Sequence, residues 1–327
     1  MDDVVRISMG FKHSPGFPPS RIINLISRER INIIYLSYVQ KESNCYLTLA
    51  ISSRDKHFLS HIIKSWPDHS LYDCAEGVIL SVFPHRKKPE IVGSLLEIFG
   101  REKIEVKALT NSPSAISVIL DRPLLNKASQ ALFEPFTFSS YRSPADWKLA
   151  QKGKEALYRE VVASYQEQRP KVYGLEYHDQ QEFIRLGVNS GSAAKIGRAF
   201  RIYADLNLFL TFLSITPRDE NGGGLTAFCF PAHDPPSSLE TLKKTGLKTD
   251  LSAIDPVTVF SMNGPHFGDR YGIAGEIMES LESGQIELLG LNCTISSVTG
   301  VVSSHHFEPA LTLIRSRFEV PSITRKS

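Results

Sequence analysis

The chain has 327 residues, with 37 Lys and Arg against 35 Asp and Glu and a formal charge of +2. Hydrophobic residues make up 42% and charged residues 22%, the balance of a folded globular chain rather than a disordered one. There is no basic block and no aromatic-basic stripe, which argues against a nucleic-acid partner. No apolar run approaches the ~18 residues of a membrane span, and the start Met1-Asp2-Asp3 leads into a strand-like run rather than a signal peptide. The expected location is the cytoplasm, with no membrane contact.

In chain order, Val4 to Met9 alternates as a strand, Pro15-Gly16 breaks it, and Ser20 to Arg30 carries Ile22, Ile23, Leu25 and Ile26 on an amphipathic helix. Ile31 to Val39 and Tyr46 to Ile51 are strand runs around the polar turn Lys41-Glu42-Ser43-Asn44. Asp55 to Trp66 has helical spacing, Pro67-Asp68 ends it, and Leu71 to Ala75 can close the unit. This β-α-β-β-α-β order is the split-βαβ arrangement, an antiparallel sheet with two helices on one face. A second unit follows: strand Val78 to Phe83, a helix from Pro89 to about Phe99, strands Ile104 to Thr110 and Ile116 to Leu120, and helix Leu124 to Phe133.

Pro144 to Gln168 reads as a linker helix ended by Pro170. Lys171 to His178 and Glu182 to Val188 are two strand runs around Asp179-Gln180, and Ala193 to Asp205 is a helix. Leu208 to Ile215 and Leu225 to Phe230 form a hairpin around Gly222-Gly223-Gly224, and Leu239 to Lys244 is a further helix. No Gly-Lys-Ser/Thr follows the triple glycine, so it reads as a turn and not a phosphate loop. The last unit has Val257 to Met262, Ile273 to Leu281, Ile286 to Cys293, Val298 to Val302, His306 to Arg317 and a closing Phe318-Glu319-Val320.

The units are repeats. Shifted by 182 residues, Ile91 to Phe136 falls on Ile273 to Phe318 with nine identities, among them Gly93/Gly275, Glu105/Glu287 and Ala128/Ala310. Shifted by 175, Gly16 falls on Gly191 and Asn32 on Asn207.

These segments resemble the ACT domain, a small ligand-binding regulatory module, and most of all the tandem pair at the C-terminus of aspartate kinases. The matching pieces are Met9 to Gly16, the helix after it and Ile31-Asn32-Ile33. They recur as Val172-Tyr173-Gly174-Leu175, Phe183 to Val188, Gly191 and Leu206-Asn207-Leu208. Ser112 to Leu120 followed by Ala128 to Phe136 is similar to the second half of an aspartate kinase's last ACT domain. No Lys-Phe-Gly-Gly-Thr-Ser-like nucleotide segment opens the chain, so the resemblance does not carry catalysis with it. The expected fold is α+β: four ferredoxin-like βαββαβ (ACT-like) units with antiparallel sheets, in two tandem pairs. Their expected bounds are 1–76, 77–143, 171–254 and 255–327, with the linker helix at 144–170.

A free amino acid needs N–H groups for its carboxylate, oxygen acceptors for its ammonium and a pocket for the rest. A turn entering a helix N-terminus supplies the first, and an Asn beside it offers both donor and acceptor. The resemblance implies Ser14, Gly16, Asn32 and Ile33, then Ser190, Gly191, Asn207 and Leu208, as ligand-binding residues. The plain alternative is a turn glycine and a helix-capping Asn. Glu105 and Glu287, which replace the Asn in the second and fourth units, read as solvated or structural.

His57 and His61 lie four apart but read as an exposed helix face, and His305-His306 as local to a helix start. Pro84-His85-Arg86-Lys87-Lys88 reads as a solvated basic loop. Cys45, Cys74, Cys229 and Cys293 are scattered in apolar stretches and read as small buried hydrophobes. No metal, no cofactor and no nucleophile–base–acid set is expected. The expected function is a non-catalytic regulatory protein binding a free amino acid between units, read out by a partner enzyme or by homo-oligomerisation. The alternative is a structural or protein-interaction module, such as a regulatory subunit of an amino-acid-biosynthetic enzyme, that has lost its ligand.

Overall fold

The computed structural model describes residues 3–13, 18–59, 69–84, 87–133, 136, 169–189, 192–232, 242, 250–264, 272–294 and 297–326. The elements are β1 (Asp3–Lys12), α1 (Ser20–Arg28), β2 (Ile33–Lys41), β3 (Asn44–Ser52), β4 (His69–Val82), α2 (Pro89–Arg101), β5 (Ala108–Asn111), β6 (Ile116–Leu120) and α3 (Leu125–Leu132). There follow β7 (Gly174–Val188), α4 (Ala193–Asp205), β8 (Phe212–Pro217), β9 (Gly224–Pro231), β10 (Leu251–Asn263), α5 (Ile273–Ser283), β11 (Leu288–Cys293), β12 (Ser297–Ser303), α6 (Phe307–Arg317) and β13 (Ile323–Arg325).

The strands pair in the order β10-β12-β11-β2-β3-β1-β4-β6-β5-β8-β9-β7, and β7 also pairs with β10, so they close a ring. All these pairs are antiparallel; β13 joins β7 in parallel. The fold is thus α+β, with one large, mainly antiparallel sheet.

Opposite sides of the ring face each other. Thr48 Oγ1 lies 2.6 Å from Thr216 Oγ1, Ser37 bonds Ser214, and Asn292 Nδ2 donates to Leu213 O at 2.8 Å. Around this polar strip Val39, Phe183, Phe212, Val259 and Val301 form one apolar cluster, and Val4, Tyr35, Ala50 and Ile119 another. Helices cover the outer faces. Ile22, Ile23 and Ile26 of α1 join Ile277 and Leu281 of α5 in one outer core. Leu95, Leu96 and Phe99 of α2 join Phe200 and Tyr203 of α4 in the other. Each fully buried Ile or Leu contributes roughly 1.5–3 kcal/mol. The sequence pattern predicts helices over one sheet face. The other face meets a second layer of strands, which is why Cys45 to Ile51 is buried without interruption.

Three long strands tie the two sides together. The first half of β4 pairs with β1, and Val78–Val82 pairs with β6. Residues 181–188 of β7 pair with β9 on one edge, while β10 runs along the other edge from Leu251 opposite Leu186 to Asn263 opposite Gly174. The strand runs expected separately at Leu71–Ala75 and Val78–Phe83, and at Lys171–His178 and Glu182–Val188, are therefore single crossing strands. Gln180, at φ 51°, bends β7 instead of turning it back. The unit boundaries expected at 76/77 and 254/255 fall inside β4 and β10.

Other expectations change locally. Of the helix expected over Asp55–Trp66, the described part is a 3-10 helix at Ser53–Phe58. The linker helix lies outside the described residues, and so does the expected Leu239–Lys244 helix apart from the buried Leu242. The triple glycine is a hairpin turn, with Asp219 Oδ1 accepting from the N–H groups of Asn221 and Gly223. Cys45, Cys229 and Cys293 are buried, but Cys74 is exposed.

Candidate functional site

Four helices end in the same way, which aligns the repeats atom by atom. Arg30, Lys103, Asn207 and Gln285 all have φ between 52° and 56°. The next residue, Ile31, Ile104, Leu208 or Ile286, returns its N–H to the carbonyl five residues earlier. This is the Schellman cap, a left-handed residue followed by an apolar one that folds back on the helix. Asn207 is therefore the counterpart of Arg30, a shift of 207 − 30 = 177 and not 175. The residue at the place of Asn32 is Phe209, which is 54% exposed. Helix capping accounts for Asn207, and core packing for the 6% exposed Leu208.

The helices pair side by side, α1 with α5 and α2 with α4, and the strands beneath them pair through β2–β11 and β5–β8. Ten residues before each cap stand Ser20, Gly93, Gly197 and Gly275. Between α2 and α4 the two glycines meet: a Cβ on Gly93 would lie 2.9 Å from Gly197 O. Close backbone approach of this kind needs glycine on both helices. The turn before α2 is sealed as well. Leu210 N–H donates to Lys87 O at 2.9 Å, and Lys87 Nζ lies 2.7 Å from His178 Nε2.

Between α1 and α5 a cleft of about 980 Å3 opens instead, within the size range of small-molecule sites. One wall is His13 just after β1 and Pro18, Pro19 and Ser20 at the start of α1, with Arg21, Asn24 and Arg28 along the helix. The opposite wall is Glu279, Glu282, Gln285, Ile286 and Glu287, at the end of α5 and just beyond it. Tyr38 and Gln40 of β2 also line it. Ionisable and amide side chains stand on both walls of a lining that is otherwise apolar, so this cleft suits a small ligand that carries charged or polar groups.

Its hydrogen bonds cross between the walls. Ser20 N–H donates to Glu282 Oε1 at 3.1 Å and Ser20 Oγ donates to Glu282 Oε2. Gln40 Nε2 donates to Glu287 Oε1 at 2.5 Å, and Asn24 Nδ2 to Glu279 Oε2 at 3.3 Å. Behind Gln40, Arg185 of β7 is 5% exposed and gives Nη1–H to Gln40 O at 2.7 Å. Burial raises the Glu282 carboxyl above its usual range; the two bonds from Ser20 oppose that, Glu279 adds to it and His13 reduces it. Burial also raises the Tyr38 hydroxyl, and pushes the Cys45 thiol beneath it up to about 11.

Of the sequence-derived site residues, Ser14, Gly16, Ser190 and Gly191 lie outside the described residues. Asn32 and Ile33 are half-buried at the start of β2 and do not line the cleft. Glu287, which reads as solvated or structural in the sequence, does line it. The signal was present in the repeat, since Ile286-Glu287-Leu288 stands where Ile31-Asn32-Ile33 stands. Among the described residues no group of His, Cys, Asp and Glu is arranged to hold a metal, and no helix is long and apolar enough to cross a membrane.

No protein-family model and no curated protein matches the sequence. Among solved structures, aspartate kinase from Synechocystis matches with a TM-score of 0.75 and 13% identity over 97% of this chain. The chain spans 55% of the length of that enzyme. The fold is that of its ACT-domain regulatory region. The regulatory subunit of aspartate kinase from Thermus flavus (TM-score 0.40, 13% identity) covers 45% of this chain and 99% of its own. The aspartokinase alpha and beta subunits (TM-score 0.39, 19% identity) cover 45% of this chain and 97% of their own.

Proposed function

We propose that the chain is a non-catalytic, cytoplasmic regulatory protein of four ACT-like units, the first pairing with the fourth and the second with the third. Its ligand is a free amino acid held between units. The cleft between α1 and α5 carries this reading, because it joins the start of one helix to the segment after the other. Peptide N–H groups at the start of α1 suit a carboxylate. The carboxylates of Glu279 and Glu287, with the Gln40 side chain, suit an ammonium. Asn32 and Ile33 would contribute to the reciprocal place, where Gly272 abuts Ser27. A partner enzyme or a second copy of the chain would read the resulting shift, provided the ligand binds one packing of the helices better than the other.

Calorimetric titration against the twenty amino acids tests this directly. At least one is expected to bind and to raise the melting temperature, an effect worth about 2.7 kcal/mol at a hundred times Kd. Asn32→Ala and Glu287→Gln should each weaken it. Silence across the panel with a folded sample overturns the reading in favour of an interaction module.

A further inference from the structure

The anion-binding end of the cleft is already filled by the protein itself. Pro19, at the N-cap of α1, gives no side-chain cap, yet the first turn of a helix leaves several N–H groups in need of a partner. Glu282 supplies one from 262 residues away, taking both the backbone N–H and the hydroxyl of Ser20. Two donors on one carboxylate at a helix start is the geometry that a ligand carboxylate would adopt.

The repeats show that this contact is not required by the way the helices pair. Glu282 stands three residues before its cap at Gln285. The same position is Ser27 in α1, Gly100 in α2 and Ala204 in α4. Ser27 lies against Gly272 at the start of α5 with only a short hydroxyl. Gly100 lets the start of α4 close directly onto α2, where its Cβ would fall 2.9 Å from Ala194 N. The fold thus tolerates a hydroxyl, nothing at all, or a carboxylate at this point. The carboxylate is found where the cleft is open.

We propose that Glu282 is a tethered stand-in for a ligand carboxylate, an autoinhibitory contact that latches α5 to α1 and that a ligand must displace. It rests on the amino-acid-sensing reading for its purpose, though not for its existence. Binding is then an exchange of carboxylates at Ser20. The energy of the lost latch is subtracted from affinity, and its release frees α5 to shift against α1.

The experiment uses the full chain with Glu282→Ala, Glu282→Gln and, as a control, Glu220→Gln, an exposed carboxylate outside the cleft. Thermal unfolding is followed in sodium acetate and in sodium chloride at equal ionic strength. Glu282→Ala should melt lower than wild type and be restored by acetate, not by chloride; wild type and Glu220→Gln should show no acetate-specific rise. Titration with the twenty amino acids should then show a roughly tenfold gain in affinity for Glu282→Ala and Glu282→Gln over wild type.

Acetate rescue without amino-acid binding upholds the latch and overturns the sensing reading. Amino-acid binding of equal strength in wild type and both variants, with no acetate effect, does the reverse. If Glu282→Ala does not fold, the comparison rests on Glu282→Gln, which keeps the size and loses the charge. Unchanged affinity there overturns the latch.

Discussion

The two helix pairs solve one geometric problem in opposite ways. Between α2 and α4, Gly93 and Gly197 remove the side chains at the crossing and Gly100 removes one at the end, so backbone meets backbone. Between α1 and α5 the same positions hold Ser20, Gly275 and Glu282. The first two no longer interdigitate, and the third reaches across a gap. A closed pair gains packing and loses a site; an open pair keeps a site and must bridge it with polar groups. Two residue choices on equivalent turns, Ser20 for Gly197 and Glu282 for Gly100, separate a structural contact from a candidate receptor.

The sharpest way to break this contrast is to overfill each crossing. Gly197→Val places its Cβ against Gly93 O and Glu97 N, both backbone, so neither can yield. A loss of about 1–3 kcal/mol or more is expected in urea unfolding. Gly275→Ala meets Asn24 Oδ1, the movable tip of a half-buried side chain. Its helix-propensity gain of up to about 1 kcal/mol offsets the adjustment, so the net change should stay within about 0.5 kcal/mol. Equal losses in the two variants would show that the interfaces do not differ in tightness.

Acid should act next, and on the closed side. His178 accepts from Lys87, and burial first, then the Lys87 charge, lowers its pKa to about 4. An unfolded histidine titrates near about 6.5. On acidification the unfolded chain therefore binds the proton first, and native stability falls from about pH 6.5 down through about pH 4. His178→Gln should flatten that part of the stability–pH curve; an unchanged slope would place the acid sensitivity elsewhere. Glu282 has the opposite sign, since its raised pKa means that acid relieves a penalty in the native state.

The smallest effect is expected from Glu287→Gln. Glu287 is exposed, so stability should change by less than about 0.5 kcal/mol, while amino-acid affinity falls. A stability loss above 1 kcal/mol with unaltered binding would return Glu287 to a structural role.

Much of this was legible in the sequence, and the failures have physical causes. The helix at Ser20–Arg28, the hairpins and the repeat of Ile91–Phe136 on Ile273–Phe318 follow from apolar spacing and turn residues, which local geometry obeys. The crossing strands were not legible, because Asp179-Gln180 looks like a chain reversal, whereas pairing of β7 with both β9 and β10 holds it extended. Asn32 and Asn207 share a letter and a spacing from glycine. Only the left-handed φ of Asn207 reveals that one begins a strand and the other ends a helix. Glu282 bonds Ser20 and Glu287 bonds Gln40, partners 262 and 247 residues away, which periodicity does not encode.

The ring of strands has a consequence for how a signal could depend on abundance. Because α1 and α5 belong to one polypeptide closed by the β7–β10 pairing, the two walls of the cleft meet at an effective concentration set by the fold, not by the amount of protein. Diluting the sample does not take the cleft apart. The two walls are also encoded separately, so a change such as Ser27 against Glu282 alters one side alone. In a site built on a two-fold axis between identical subunits, each substitution would appear twice.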